Sequence, residues 1–312
     1  MTVRQLVILG GTGFVGSHLV PRLVRDGHRI VLLSRNREQH RELGVLPGVS
    51  VRSADVYNDD ALQKHLAGAD AVINLVGILN ATGRHTFEGA HVELTRRLLA
   101  ACAATGVDRL HQMSSLKAGQ GLSQYLKTRG EAEALVKASA LSWTIYQPSV
   151  IFGAGDGLVS RFASLLRAMP ALPLARASSR MAPTWVGDVV EAMARCIASD
   201  SLGQRQTFEL YGPEVLSLGD IVRKIRDAAD LKTPVIPLPD SLGRLQAQVA
   251  GWLPGKPFSL DNFRSLRTDS VGKADGYALL GIVPQPFTAW LPALLMGSVR
   301  QRRLDAARSL RS

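Results

Sequence analysis

The chain has 312 residues, 46% hydrophobic and 5% aromatic, and its 37 Lys and Arg against 26 Asp and Glu give a formal charge of +11. This length buries a substantial core and suits one large α/β domain with a smaller appended lobe. So few aromatic residues exclude a stacking platform for single-stranded nucleic acid, and no specific nucleic-acid motif accompanies the basic excess, which leaves a basic surface or attraction to an anionic ligand or membrane face.

The predicted elements alternate along the chain. Gln5 to Gly10 reads as a buried parallel strand, a short apolar run that ends in glycines. A helix over 15–26 follows and stops at Gly27. Arg29 to Ser34 and Val49 to Ala54 are the second and third strands, Asp60 to Leu66 is a short helix, and Ala71 to Val76 is the fourth strand. A long amphipathic helix spans Phe87 to Thr105, capped by Gly106. Arg109 to Met113 is the fifth strand, Tyr125 to Ser139 a helix, and Trp143 to Tyr146 the sixth strand. Alternation of this kind specifies an α/β fold with a doubly wound parallel sheet. After Phe152 it weakens, and Pro and Gly punctuate 153–183 and 232–257. Val186 to Ser199 reads as a strand end and a helix returning to the main sheet, with Asp188 as its N-cap.

Cys102 and Cys196 stand far apart without a CxxC pattern, and the seven His show no ligand spacing. Neither a disulfide framework nor a metal site is expected, and a reducing, cytoplasmic setting fits. Met1-Thr2-Val3-Arg4 leads straight into the first strand, so no signal or transit segment is expected, and no apolar run reaches the length of a membrane span.

The chemistry concentrates at Gly10-Gly11-Thr12-Gly13-Phe14-Val15-Gly16, which follows a strand and opens a helix. Glycine there lets the backbone turn sharply and approach a pyrophosphate. The helix start supplies unpaired N–H groups and partial positive charge, and Gly16 allows close helix packing. An acid at the end of the second strand would accept from the ribose hydroxyls of NAD. Leu33-Ser34-Arg35-Asn36-Arg37 stands there instead, and Ser34 with Arg35 suits a 2′-phosphate held by charge-assisted hydrogen bonds. NADPH is therefore the preferred cofactor and NAD the alternative. Asp55-Val56 follows the third strand, where a carboxylate accepts from an adenine amino group. Leu75-Val76-Gly77 follows Asn74 where backbone passes an adenosine ribose. Each of these also has a plain reading, as solvated charge, turn or cap. The dinucleotide-binding Rossmann domain is expected at 1–153 and 184–212, with a smaller substrate or partner lobe at 154–183 and 213–312.

These residues, together with Tyr125-Leu126-Lys127-Thr128-Arg129-Gly130-Glu131, the run from Trp143 to Gly153 and the run from Pro183 to Val189, resemble the extended and atypical branch of the short-chain dehydrogenase/reductase superfamily. The chain is similar to the NADPH-binding accessory subunit of respiratory complex I and to its bacterial epimerase/dehydratase-like relatives. The likeness covers roughly the first two thirds of the chain and is looser around 253–259. It implies an extended-type Rossmann domain with a small C-terminal lobe, and places Pro148, Ser149, Val150 and Ile151 beside the nicotinamide ring. It leaves the activity open, because members of this branch also bind the cofactor for structural or assembly reasons.

Hydride chemistry in that superfamily uses a Tyr acid/base, a Lys four residues on, and a nearby Ser or Thr. Four residues make one helical turn, so the pair shares a face. Tyr125 matches the Tyr and Ser115 the substrate-polarising hydroxyl, with Ser114 as a cofactor-side hydroxyl. The Lys position is Arg129, which stays cationic and can bind ribose but cannot be deprotonated or join a proton relay. Lys127 lies on the wrong side of the helix to replace it. Gly119 and Gly121 shorten the connection before Tyr125, and Gln147 stands where many relatives carry Arg. The bland alternative makes Tyr125 a helix-start residue without chemistry.

Phe287 to Met296 is apolar and precedes Arg300, Arg302, Arg303, Arg308 and Arg311, against Asp305. It reads either as a peripheral contact on an anionic membrane or as a packed helix with a basic tail. Pro239 to Pro254, with Leu242, Leu245, Val249 and Leu253, reads as an amphipathic helix packed into the core, with a substrate pocket or a partner as alternatives. The sequence thus points to an NADPH-dependent oxidoreductase or epimerase-like enzyme acting on an unidentified small molecule through Tyr125, Arg129 and Ser115. The alternatives are a catalytically silent NADPH-holding subunit of a membrane respiratory or quinone-related complex, on the inner face of the membrane, and a sensor of the nicotinamide pool.

Overall fold

A computed structural model describes residues 3–40, 43–83, 85–252 and 258–296. The expectations for 253–257 and for Arg300 to Arg311 lie outside these residues. The chain forms two compact units. The first is Met1–Pro148 with Gly187–Leu210 and Gly272–Val283, the second Ser149–Val186 with Tyr211–Val271 and Pro284–Ser312.

In chain order the first unit contains β1 (Gln5–Leu9), α1 (Phe14–Arg25), β2 (Arg29–Ser34), β3 (Val49–Ser53), α2 (Asp59–Leu66) and β4 (Ala71–Asn74). Then come α3 (Leu94–Thr105), β5 (Arg109–Met113), α4 (Gln124–Ala138) and β6 (Ser142–Pro148). A further strand, Gln206–Leu210, pairs with β6 and completes a seven-stranded parallel sheet, in the order of that strand, β6, β5, β4, β1, β2, β3. This is a doubly wound parallel sheet of the Rossmann type. β1 sits centrally between β4 and β2, so the strand order reverses beside the glycine turn at its carboxyl end, where open α/β sheets bind ligands. The buried apolar runs of β1 and β4 follow from helices covering both faces.

Two helices differ from expectation. The span 87–105 opens with a π-helical stretch, Glu88–Glu93, before α3 begins, and Thr86 Oγ accepts from the Gly89 N–H at 3.0 Å. Asp188 is not an N-cap. The helix Val186–Ala198 starts two residues earlier and carries Asp188 in its first turn, where a carboxylate suits the helix dipole. Residues 272–283, expected in the smaller lobe, group with the sheet because Glu209 accepts from the N–H groups of Lys273 and Ala274, and Tyr277 is fully buried.

The second unit has its own core, including Phe152, Leu166, Ile221, Ile225, Phe287 and Leu291. Residues 287–296 are helical and contribute Phe287, Leu291 and Leu295 to that core, with Trp290 stacked on Trp185 at 4.2 Å. The apolar run is therefore a packed helix. The helix Asp240–Ala250 departs from the expected core packing: Gly243 and Ala247 are buried while Leu242, Leu245 and Val249 are exposed. Among the described residues no helix is long and apolar enough to cross a membrane, and no group of His, Cys, Asp and Glu could hold a metal ion.

Candidate dinucleotide site

Gly10 ends β1 in the left-handed region at φ 74°, where a Cβ would come within 3.0 Å of the Leu75 and Val76 backbone. The Gly13 N–H donates to the Gly10 carbonyl at 3.0 Å, closing the turn. Gly13 caps α1 with extended backbone and no side-chain acceptor, and the first turn carries no acid. The opening amides of α1 thus meet no competing anion of the cap or first turn, the arrangement that receives a phosphate. A Cβ on Gly16 would overlap the Gly11 carbonyl, so α1 starts directly against the turn. Thr12, Phe14 and Val15 are half-buried around it, with Phe14 edge-on to His18 at 5.6 Å. The residues present fit a dinucleotide diphosphate.

At the end of β2, Ser34 is buried and its Oγ accepts from the Asn36 N–H at 3.3 Å. Arg35 is exposed and its Nη1 donates to His85 Nε2 at 2.9 Å. His85 comes from the loop after β4. No sequence signal marked it, because the contact joins segments 50 residues apart. Asp55 is exposed and accepts from the Tyr57 N–H at 3.0 Å, which is the plain turn reading, while Val56 packs on the core. After β4, the Leu75 N–H donates to the Leu9 carbonyl at 2.9 Å and the Val76 N–H to Asn74 Oδ1 at 3.1 Å. Asn74 Nδ2 in turn donates to Gln112 Oε1 on β5 at 3.1 Å. This fixes the strand ends that face the glycine turn.

Tyr125 occupies the start of α4, and Ser123 caps that helix by accepting from the Leu126 N–H. Its ring is edge-on to Phe87 at 6.2 Å and to His91 at 5.6 Å. Arg129 lies one turn along, 5% exposed, with its Cζ 5.6 Å from the Tyr125 ring centroid. Its Nη1 donates to the Met113 carbonyl at 2.9 Å and to the Val76 carbonyl at 3.3 Å, and its Nη2 presses on Gly77 so closely that a Cβ there would overlap it. The guanidinium thus joins the carboxyl ends of β4 and β5. His91, from the π-helical stretch, is the residue sequence reasoning missed. Its Nδ1 bonds Thr128 Oγ1 at 2.8 Å and its Nε2 accepts from the Ile78 N–H at 3.5 Å. Burial, then the neighbouring Arg129 charge, pushes its pKa down to about 2, so the ring is neutral with the proton on Nδ1. The only signal available was Gly89 beside Thr86, where a helix can widen by one residue.

Ser115 is 8% exposed, and its Oγ is buried without a hydrogen-bond partner among the described residues. Ser114, expected as a cofactor-side hydroxyl, is buried beside Glu133. It donates to Glu133 Oε1 at 2.6 Å, and the same oxygen accepts from Gln147 Nε2 at 2.7 Å while Lys137 pairs with Oε2 at 3.0 Å. Glu133, 4% exposed, is a buried charge held by three donors, and Gln147 serves it in this chain. Pro148 ends β6 and accepts from the Leu116 N–H at 2.8 Å. Ser149 and Val150 belong to the second unit, where Ser149 Oγ donates to the Ser270 carbonyl at 2.9 Å and the Val150 carbonyl accepts from the Thr184 N–H at 3.0 Å.

Residues 10–158, which hold the glycine turn, β4, β5 and the Tyr125 helix, match the model of a family described as NAD(P)H-binding. The chain is 29% identical over 218 residues to the 40 kDa subunit of mitochondrial NADH-ubiquinone oxidoreductase from Neurospora crassa. That match covers 69% of this chain and 57% of the subunit, so it spans less than two thirds of the relative. A mitochondrial NADH dehydrogenase (ubiquinone) 1 alpha subcomplex subunit 9 from Arabidopsis thaliana is 26% identical, covering 85% of this chain and 70% of the subunit. A ceramide reductase from Caulobacter vibrioides is 29% identical, covering 75% of this chain and 74% of the reductase. Among solved structures, an NADPH-dependent quinone oxidoreductase from Escherichia coli superimposes with a TM-score of 0.75 at 19% identity, covering 93% of this chain and 99% of that one, which shows the shared fold. The chain is thus similar both to subunits of NADH-ubiquinone oxidoreductase and to reductases, and it shares the fold of that quinone oxidoreductase.

Proposed function

We propose that this chain holds NADPH as a fixed group without turning it over, as an accessory or assembly component of a membrane respiratory or quinone-related complex. The observation that carries the reading is Arg129. Its guanidinium is buried, its Nη1 donates to the Val76 and Met113 carbonyls, and an Arg cannot release a proton into a relay. The side chain that would assist Tyr125 in hydride chemistry instead clamps two strand ends. Relatives named as subunits of NADH-ubiquinone oxidoreductase support the same reading.

When bound, NADPH supplies a transferable hydride; the chain's residues supply position. The amides of Gly13 to Gly16 receive the diphosphate. Arg35, with His85 beside it, receives the 2′-phosphate, which favours NADPH over NADH. Ser34, Asp55 and the Leu75–Val76–Gly77 backbone bound the adenosine end. A ligand held only by the folded form also stabilises it.

The test uses purified protein loaded with NADPH and exposed to ketones, quinones and nucleotide sugars, with nicotinamide fluorescence followed over hours. The reading expects the signal to persist. Oxidation that disappears in Tyr125→Phe would instead establish the second reading, a reductase. That reading is favoured by the buried, unpartnered Ser115 hydroxyl, a group able to donate to a substrate oxygen.

A further inference from the structure

Arg35 and His85 meet across the carboxyl end of β1. β2 and β4 are the parallel neighbours of β1, one on each side. Arg35 follows β2 and His85 comes from the loop after β4, so their 2.9 Å contact bridges the two sides of the glycine turn. The backbone holds the histidine in place. The Thr82 N–H donates to the His85 carbonyl at 3.0 Å and the His85 N–H to the Thr82 carbonyl at 2.9 Å, with Gly83 at φ 52° in the turn between them. Directly after His85, Thr86 accepts from the Gly89 N–H and anchors the π-helical stretch.

A guanidinium has only donors, so His85 Nε2 is the acceptor in this contact and the ring is neutral, with its proton on Nδ1. Among the described residues no carboxylate pairs with Arg35. A cation whose partner is a neutral imidazole keeps its charge for an incoming anion. The titratable groups sharing this corner are Asp55 and Tyr57, from the turn after β3. Asp55 accepts from the Tyr57 N–H, and burial, ahead of the opposed charges of Arg35 and Asp55, raises the Tyr57 pKa, so the phenol stays protonated. Glu38 and Glu88, which follow Arg35 and His85 in their own segments, are exposed to solvent.

We propose that His85 is a second ligand of the 2′-phosphate and couples NADPH binding to the uptake of a proton. Imidazole is the side chain whose charge changes near neutral pH, and a neighbouring dianion favours its charged form. The phosphate takes over the Arg35 donor. His85 Nε2 is then free to bind a proton from the buffer and to donate it in a hydrogen bond to the phosphate, so that two cations meet two negative charges. NADH carries a hydroxyl at the same place and draws no proton. This role rests on the reading that Arg35 receives the 2′-phosphate, and adds to it a preference for NADPH that grows as the pH falls.

The experiment is titration calorimetry of the full chain with NADPH and with NADH at about pH 7.5, where a phosphate monoester is dianionic, in Tris and in PIPES, whose ionisation enthalpies differ. It is repeated with His85→Gln, which keeps an acceptor for Arg35 but cannot gain a proton. The parent chain should take up about half a proton per NADPH and none per NADH, and its NADPH affinity should rise about threefold from pH 8 to pH 7. His85→Gln should bind NADPH several-fold more weakly without proton uptake, while its NADH affinity changes far less. Undiminished uptake in His85→Gln, or parental NADPH heats that are the same in both buffers, would overturn the proposal and leave NADPH at Arg35. A parent chain that binds neither coenzyme would overturn the cofactor reading itself, so the two failures are distinguishable.

Discussion

At the residue scale the site turns on two arginines with different tasks. Arg129 is interior and structural. Replacing it with Ala takes the Arg129 donor from the Val76 and Met113 carbonyls, leaving Met113 only the Gln112 Nε2 bond, which should cost about 1–3 kcal/mol in urea unfolding. Arg129→Lys should recover part of that loss, because one ammonium can reach one carbonyl but lacks the planar fork. Unchanged unfolding midpoints in both variants would show that the guanidinium does not hold the strand ends together. Arg35 is exposed and selective. Arg35→Asp should weaken NADPH by roughly tenfold or more, through loss of a charge-assisted bond and gain of repulsion, and should change NADH far less. Equal losses for the two coenzymes would remove the argument for a 2′-phosphate site.

At the element scale, the glycine turn illustrates what a sequence can carry. Gly10 and Gly16 are required by local backbone geometry, a positive φ and a helix start pressed on a carbonyl, so their spacing is readable without a structure. Gly16→Ala should push α1 off the turn, costing about 1–3 kcal/mol by overpacking and lowering NADPH affinity, both measurable by calorimetry. Five of the seven sheet strands are legible as largely buried apolar runs, and β3, a partly exposed edge strand, is legible from its place in the alternation. The seventh, Gln206–Leu210, is not, because only its alternate residues are buried and it follows the stretch where the alternation weakens. His91 and Glu133 were opaque too. Each matters through partners on other elements, Thr128 and Ile78 for one, Ser114 and Gln147 for the other, and nothing in their own neighbourhoods announces those contacts. The helix Asp240–Ala250 misled outright, since its Leu and Val pattern implies burial and its Gly and Ala are what the fold buries.

At the scale of the whole molecule, buried histidines couple stability to pH. Burial, with Arg129 adding to it, lowers the His91 pKa to about 2. Burial, with Arg109 and Arg4 adding, lowers that of His111 to about 3. Both titrate near 6.5 when unfolded, so below that pH the unfolded chain binds protons that the folded chain refuses. Their contribution is complete above pH 6.5 and falls by about 1.4 kcal/mol per pH unit for each imidazole as the pH drops toward the folded values. Melting temperature should therefore fall clearly between pH 7 and pH 5, and less steeply in His111→Phe. A flat profile would mean that neither ring is held neutral. The two units also divide the work. The sheet unit carries the glycine turn, and the second unit carries the exposed apolar helix.

The most direct test of the account is native mass spectrometry of the chain purified without added nucleotide. It should show one NADPH retained per folded chain, still reduced. A folded chain that arrives empty and takes up neither NADPH nor NADH on titration would contradict it.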